Sequence, residues 1–304
     1  MPYLKSLTRM LAIIISSTIV GCSNNEMRND NSNNDAQTDS GPTTGDKTDS
    51  GSGLPESCRL VDVVFTVDAS SSMEEEYKAL RNNVFPAFAE HLANISQGLD
   101  NFRFATMDSC PNPPNFHTRG NTGECNFSTG KPWIDNNSPN MNEEFACVGD
   151  IYLDDIDCSG DDDDEQPITA FLKAMSPPYS ENENAGFLRD DALLVVIAVT
   201  DEDEQPTVID SPTSAHGIFE ALANLKGGKP ERIVFMGVGG SSLCTGLYGE
   251  VDNPATKLKA VTDLFSEKER GVWWDLCSKD PMENGLDAAF KIIEKACDEF
   301  TEIE

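Results

Sequence analysis

Three stretches of the chain are apolar almost without interruption: RLVDVVFTVD at 59–68, DALLVVIAVT at 191–200 and ERIVFMGV at 231–238. A strand with one wet face alternates apolar and polar residues. These runs do not alternate, so both of their faces must be covered, as in a parallel sheet packed between helices. Phe102–Asp108 adds a further strand. Helical patterns lie between them. Met73, Tyr77, Leu80, Val84, Phe88 and Leu92 recur at three- and four-residue spacing, with Pro86 predicted to kink or break the helix. Ile168, Phe171, Leu172 and Met175 form a shorter face. Ser211-Pro212, Asn253-Pro254 and Asp280-Pro281 each pair a capping residue with proline and predict three helix starts, with Gly227 and Gly271 as stops. Strand–helix alternation predicts an α/β fold: a three-layer αβα arrangement with a doubly wound, mostly parallel sheet as its middle layer.

Charge limits what such a domain can meet. The 304 residues carry 22 Lys and Arg against 53 Asp and Glu, a net charge of −31. Nucleic acid is excluded as a partner, since its phosphates require a basic surface. Anionic headgroups would repel the chain as well. The N-terminus offers another route to a membrane. Lys5 and Arg9 precede an apolar stretch from Met10 to Val20, too short for a comfortable span and laid out as an export signal. Ile19-Val20-Gly21-Cys22 resembles the bacterial lipobox, which implies a signal peptide over 1–21, acylation of Cys22, and a lipid-anchored protein of the outer membrane, on its periplasmic or cell-surface face. Residues 22–57 read as the lipidated cysteine and a disordered tether. They are rich in Asn, Asp, Ser, Thr and Gly, and Thr-Asp-Ser-Gly occurs at 38–41 and again at 48–51. The folded domain is expected from Cys58 to Glu304.

In doubly wound sheets, ligands bind beyond the carboxyl ends of the strands, where the strand order reverses. The first strand ends in Asp68-Ala69-Ser70-Ser71-Ser72, and a later one in Thr200-Asp201-Glu202-Asp203-Glu204. Asp-x-Ser-x-Ser puts three oxygen donors on one turn. Carboxylate and hydroxyl oxygens are hard ligands that suit Mg²⁺ or Mn²⁺. The plainer reading is that Asp68 and the serines only cap the helix that starts at Met73.

VVFTVDASSSM and LLVVIAVTDEDE resemble the first and fourth strands of a von Willebrand factor type A domain, and NAGFLRDDALLVVIAVTDEDE is similar to bacterial lipoproteins of that class. The similarity spans about 58–300 and is strongest at 60–90 and 185–240. The resemblance implies a metal-ion-dependent adhesion site. Ser70 and Ser72 would ligate the ion directly, and Asp68 and Asp201 largely through water. The chain departs from the family at the Thr ligand before the third helix. Aligned on Ile168 and Leu172, Gln166 stands in its place, with Glu165 beside it and Thr169 out of register.

The domain is longer than its class requires, and the surplus falls at about 109–163 as an insertion without a long apolar period. From Asp135 to Glu165 it holds twelve acidic residues and no Lys or Arg. Asp155-Ile156-Asp157-Cys158-Ser159-Gly160 mimics the start of an EF-hand loop, which makes Ca²⁺ a candidate there beside a solvated acidic loop. Apart from Cys22, eight cysteines remain, and export permits disulfides. The expected pairs are Cys58–Cys297 tying the two ends, Cys110–Cys125 and Cys147–Cys158 pinning an insertion without a core of its own, and Cys244–Cys277 joining the loops after two adjacent strands.

His91, His117 and His216 are the only histidines, and no GxSxG, HExxH or P-loop motif is present. The expected function is therefore not enzymatic. It is a protein-binding or adhesion module whose metal captures an Asp or Glu of a protein partner. The alternatives are a structural envelope protein with a vestigial site, and a metal-dependent phosphoester hydrolase. The hydrolase would need a second Asp where Ser70 stands.

Overall fold

The computed structural model describes residues 60–68, 70–95, 101–109, 113–120, 122–149, 166–205, 214–251 and 253–299. All belong to the second of two units into which the chain divides, Gly51–Glu304. The signal peptide, Cys22, the tether, Cys58, Cys110, Ser211-Pro212 and the 155–165 loop with Cys158 and Glu165 lie outside the described residues.

The apolar runs form the centre of the sheet. Strands β1 (Leu60–Val67), β2 (Asn101–Asp108), β6 (Leu193–Val199), β7 (Ile233–Gly239) and β10 (Gly271–Asp275) are parallel, and β5 (Ile134–Asp135) adds an antiparallel edge to β2. The order is β10-β7-β6-β1-β2-β5. The chain thus leaves β1 in one direction through β2 and returns through β6, β7 and β10 on the other side. This is the doubly wound arrangement, and its switch point lies between β1 and β6. Two short hairpins, β3–β4 (Arg119–Gly120, Gly123–Glu124) and β8–β9 (Cys244–Thr245, Glu250–Val251), stand outside the sheet. Gly271 opens β10 instead of stopping the preceding helix. The positive φ of 58° falls on Glu269.

Helices cover both faces. Helices α1 (Glu74–Ala79), α2 (Phe85–Ile95), α3 (Met141–Gly149) and α7 (Glu283–Glu299) pack on Val61, Val63, Phe65 and Val67. Helices α4 (Pro167–Ala174), α5 (Ala215–Asn224) and α6 (Thr256–Ser266) pack on Val64, Leu194, Val196 and Phe235. Pro86 does not break its helix. A π-turn over Leu80–Val84, closed by Phe85 N–H donating to Leu80 O, widens the backbone just before the ring and joins α1 to α2. Proline lacks the N–H of a regular turn and collides with the carbonyl four residues back, and a wide turn relieves both.

The Phe-Leu-Arg motif before β6 has a structural role. Phe187 is fully buried against Phe116 and Trp133. Arg189 clamps the amino ends of β1 and β2. Its backbone N–H donates to Asp62 Oδ2 (2.8 Å) and its Nε to Asp62 Oδ1 (2.8 Å), while its remaining nitrogens reach Asn101 Oδ1 (2.7 Å) and Val61 O (3.0 Å). Asp62 is fully buried, so this pairing is what allows a charge there.

The insertion departs from expectation. It joins the main core: Phe145 and Val148 of α3 are buried against β2 and α2, with Phe145 4.6 Å from the Phe104 ring. Docking of α3 brings Cys147 to Cys125 beside the β3–β4 hairpin, and these two form a disulfide with Cα atoms 5.7 Å apart. The pairings Cys110–Cys125 and Cys147–Cys158 are therefore overturned. Short sequence separation favours loop closure, but the seat of α3 decides which sulfurs meet. Cys244–Cys277 forms as expected, linking the loops after β7 and β10. Cys297 is disulfide-bonded as well, and its expected partner Cys58 lies outside the described residues.

Arg189→Ala should lower unfolding stability by about 3–5 kcal/mol, because it leaves Asp62 buried and unpaired. Chemical denaturation checks this. A loss below about 1 kcal/mol would show that the clamp is dispensable.

Candidate metal centre

The register of β1 against β6 pairs Val67 with Val199, so the next residues of the two strands emerge side by side. Asp68 N–H continues the ladder to Val199 O at 2.8 Å. The Asp68 carboxylate is fully buried and held at both oxygens: Oδ1 accepts from Ser70 N–H (2.7 Å), and Oδ2 from Thr200 Oγ1 (2.7 Å). The turn it closes brings Ser70 Oγ and Ser72 Oγ to 2.7 Å of each other. Ser72 also hydrogen-bonds Asp201. Asp68, Ser70, Ser72 and Asp201 thus converge at the switch point from both strand ends. Ser70 occupies the N-cap of the short turn at Ser71–Met73, yet its side chain makes no capping hydrogen bond. The capping role alone does not account for these residues.

Gln166 is fully buried at the N-cap of α4, and Thr66 Oγ1 ties that helix start to β1 by donating to Pro167 O at 2.6 Å. The start of α4 therefore lies beside β1, near the carboxyl end of that strand. Thr169 is engaged elsewhere, by Glu204.

The electrostatics are those of acids crowded together out of water. Burial raises the Asp68 carboxyl above its ordinary range. Asp201 is pushed up to about 6 by burial and then by the charge of Asp68. Its Oδ1 is buried without a hydrogen-bond partner among the described residues. Glu76, on α1 directly after the turn, is 2% exposed and pushed up to about 8 by burial, with Asp201, Glu75 and Asp68 adding to the effect. Its Oε2 also lacks a partner among the described residues. Tyr77 donates its hydroxyl proton to Asp68 O; burial and then the acid charges hold it firmly neutral. Among the described residues no three His, Cys, Asp or Glu side chains gather as a metal cluster. The candidate depends on serine hydroxyls set beside carboxylates, an oxygen donor set suited to a hard divalent cation. The unsatisfied Asp201 oxygen beside the Asp68 charge fits such an ion.

The acidic run after β6 is mostly turned inward in the fold. Asp203 Oδ1 accepts from Lys257 N–H (2.7 Å) and Leu258 N–H (3.4 Å), capping α6 in place of Asn253. Glu204, 2% exposed, accepts from Ile168 N–H (3.0 Å) and Thr169 N–H (2.8 Å), capping α4. Burial raises its carboxyl to about 7, against the pull of those donors. Asp203 and Glu204 were not legible as caps, because the helices they cap are remote in sequence, and Thr200 and Glu76 were not legible as neighbours of the site, because the acids they meet come together only through the β1–β6 pairing. His117 lies beside Asp108 at the carboxyl end of β2, Nε2 to Oδ2 2.8 Å. His91 stacks on Phe290, and His216 lies next to Glu220 on an exposed face.

No family model and no curated protein sequence matches the chain. Among solved structures, similar folds include proximal thread matrix protein 1 of the mussel byssus with a zinc-occupied MIDAS motif (14% identity, TM-score 0.43, covering 79% of this chain and 49% of that one). Others are the manganese-loaded TRAP protein of Plasmodium vivax (14%, 0.37, 77% and 74%) and the pilus adhesin SpaC of Lactobacillus rhamnosus GG (14%, 0.42, 80% and 31%). The chain spans about half the length of the mussel protein. The fold assignment stands on the strand order and layers described above.

Glu204→Ala strands the two N–H groups that open α4 and should cost about 1–3 kcal/mol of stability. Urea unfolding of the variant measures it, and an unchanged midpoint would mean that water replaces the carboxylate.

Proposed function

We propose that the protein is a lipid-anchored, envelope-exposed binding module that holds a divalent cation at Asp68, Ser70, Ser72 and Asp201 and captures a carboxylate of a protein partner. The observation that carries this reading is the meeting of those four side chains at the β1–β6 switch point, with an Asp201 oxygen buried and unsatisfied. A bound Mg²⁺ or Mn²⁺ supplies positive charge with an open coordination position. Asp68 is oriented by Ser70 N–H and Thr200, so its carboxylate is preorganised. Ser70 and Ser72 offer neutral oxygens, so the two carboxylates offset the ion's charge without exceeding it, and an incoming acid can still complete the coordination. Gln166 stands at the helix start where the resembled family has its Thr, and it is the fifth candidate donor. The surrounding acids favour a partner with basic residues around the captured carboxylate. Ca²⁺ at 155–165, acylation at Cys22 and outer-membrane location are proposals from the sequence alone.

Isothermal titration with Mg²⁺, Mn²⁺ and Ca²⁺ tests the site. At least one ion should bind with heat and raise the melting temperature, and Asp201→Ala or Ser70→Ala should weaken binding tenfold or more with the fold intact by circular dichroism. Absence of both heat and thermal shift would make the site vestigial. The anchor has its own test. Cys22→Ala should abolish incorporation of labelled fatty acid in a bacterial host, and continued labelling would overturn the lipoprotein reading.

A further inference from the structure

Leu243 and Leu247 are the exposed large hydrophobic residues among those described, at 70% and 50%. Single exposed leucines are ordinary. Leu243 directly precedes the β8–β9 hairpin and Leu247 lies in its turn, and that hairpin is fastened to its neighbours. The Cys244–Cys277 disulfide ties it to the loop after β10. Ser241 N–H donates to Asp275 Oδ1 (3.2 Å), and Met282 N–H to Tyr248 Oη (2.8 Å). Gly246 N–H donates to Gly249 O (2.8 Å), and a β-carbon on Gly246 would lie 1.8 Å from Leu276 O, so the turn sits directly on the neighbouring backbone.

The hairpin belongs to the metal edge. It leaves the carboxyl end of β7, whose Val238 O accepts from Thr200 N–H at 3.0 Å. At its far side, a β-carbon on Gly249 would lie 3.4 Å from Glu76 Oε1, and Glu76 is the buried acid coupled to Asp201 and Asp68. Exposed Glu74, Glu75 and Glu250 border the same region, which disfavours an anionic membrane as the occupant. A rigid apolar tip beside a carboxylate-capturing site has the form of a hot spot: an apolar anchor next to a polar contact, with little ordering cost on binding.

We propose that the Leu243/Leu247 hairpin is the apolar half of the capture surface, and that the partner is a basic-flanked protein segment placing an apolar side chain beside the carboxylate it offers to the Asp68–Asp201 site. This rests on the metal-site reading above. The test is selection from a random peptide display library on the full chain carrying Cys22→Ser, in Mn²⁺ and in chelator. Metal-dependent peptides should pair an Asp or Glu with a nearby large apolar residue. Leu243→Ser/Leu247→Ser, with an unchanged melting temperature, should bind them about tenfold or more weakly and lose the apolar preference while keeping the carboxylate preference. Metal-dependent carboxylate peptides with no apolar preference, or with one the double variant keeps, would overturn this proposal and leave the metal reading standing. No metal-dependent carboxylate selection would overturn both. Self-association of the wild-type chain in sedimentation, abolished by the double variant, would assign the leucines to a second copy and overturn the proposal.

Discussion

The pairing of β1 with β6 is the constraint on which the rest of the structure depends. Its register, Val61 with Leu193 through Val67 with Val199, leaves Asp68 and Thr200-Asp201 emerging together. A slip of one residue would turn every core side chain of β1 to the other helical layer and part the two acids. Two devices at opposite ends hold that register. At the amino end, Arg189 grips Asp62, Asn101 and Val61 O. At the carboxyl end, Thr200 binds the Asp68 carboxylate.

Bringing those acids together costs electrostatic energy, and the fold contains it by sorting them. Asp203 and Glu204 are spent on helix N-termini, where backbone N–H groups and the helix dipole stabilise them. Asp68 accepts a hydrogen bond at each of its oxygens. Asp201 and Glu76 keep oxygens without partners among the described residues, and burial and mutual repulsion push their carboxyls up to about 6 and about 8. The site is thus poised for positive charge in a way that a merely acidic surface is not. Acidity as a bulk property says what the chain avoids, and acidity sorted by burial says where it can bind.

The same edge is braced from outside the sheet. The Cys244–Cys277 bridge closes 33 residues, a constraint of about 3–4 kcal/mol on the unfolded chain in the entropic account. It fixes the β8–β9 hairpin beside the metal edge. On the opposite flank, the insertion is anchored by Phe145 and Val148 in the core and by Cys125–Cys147.

The apolar runs by themselves determined three of the long parallel strands and the layer class, because strands buried on both faces need not alternate. Asp-x-Ser-x-Ser and Thr-Asp at two strand ends were enough to nominate Asp68, Ser70, Ser72 and Asp201, since a doubly wound sheet brings strand ends to a common edge. The bounds of β10 were not legible, since it is five residues with half-buried positions, and neither was the edge strand β5, of two. Nor were the insertion's disulfide, the caps supplied by Asp203 and Glu204, or Glu76 as a neighbour of the site. Each depends on contacts between segments far apart in sequence, and local composition carries no record of them. Sequence periodicity determines which faces a segment must bury. Only packing in three dimensions decides which remote donor, sulfur or carboxylate meets it there.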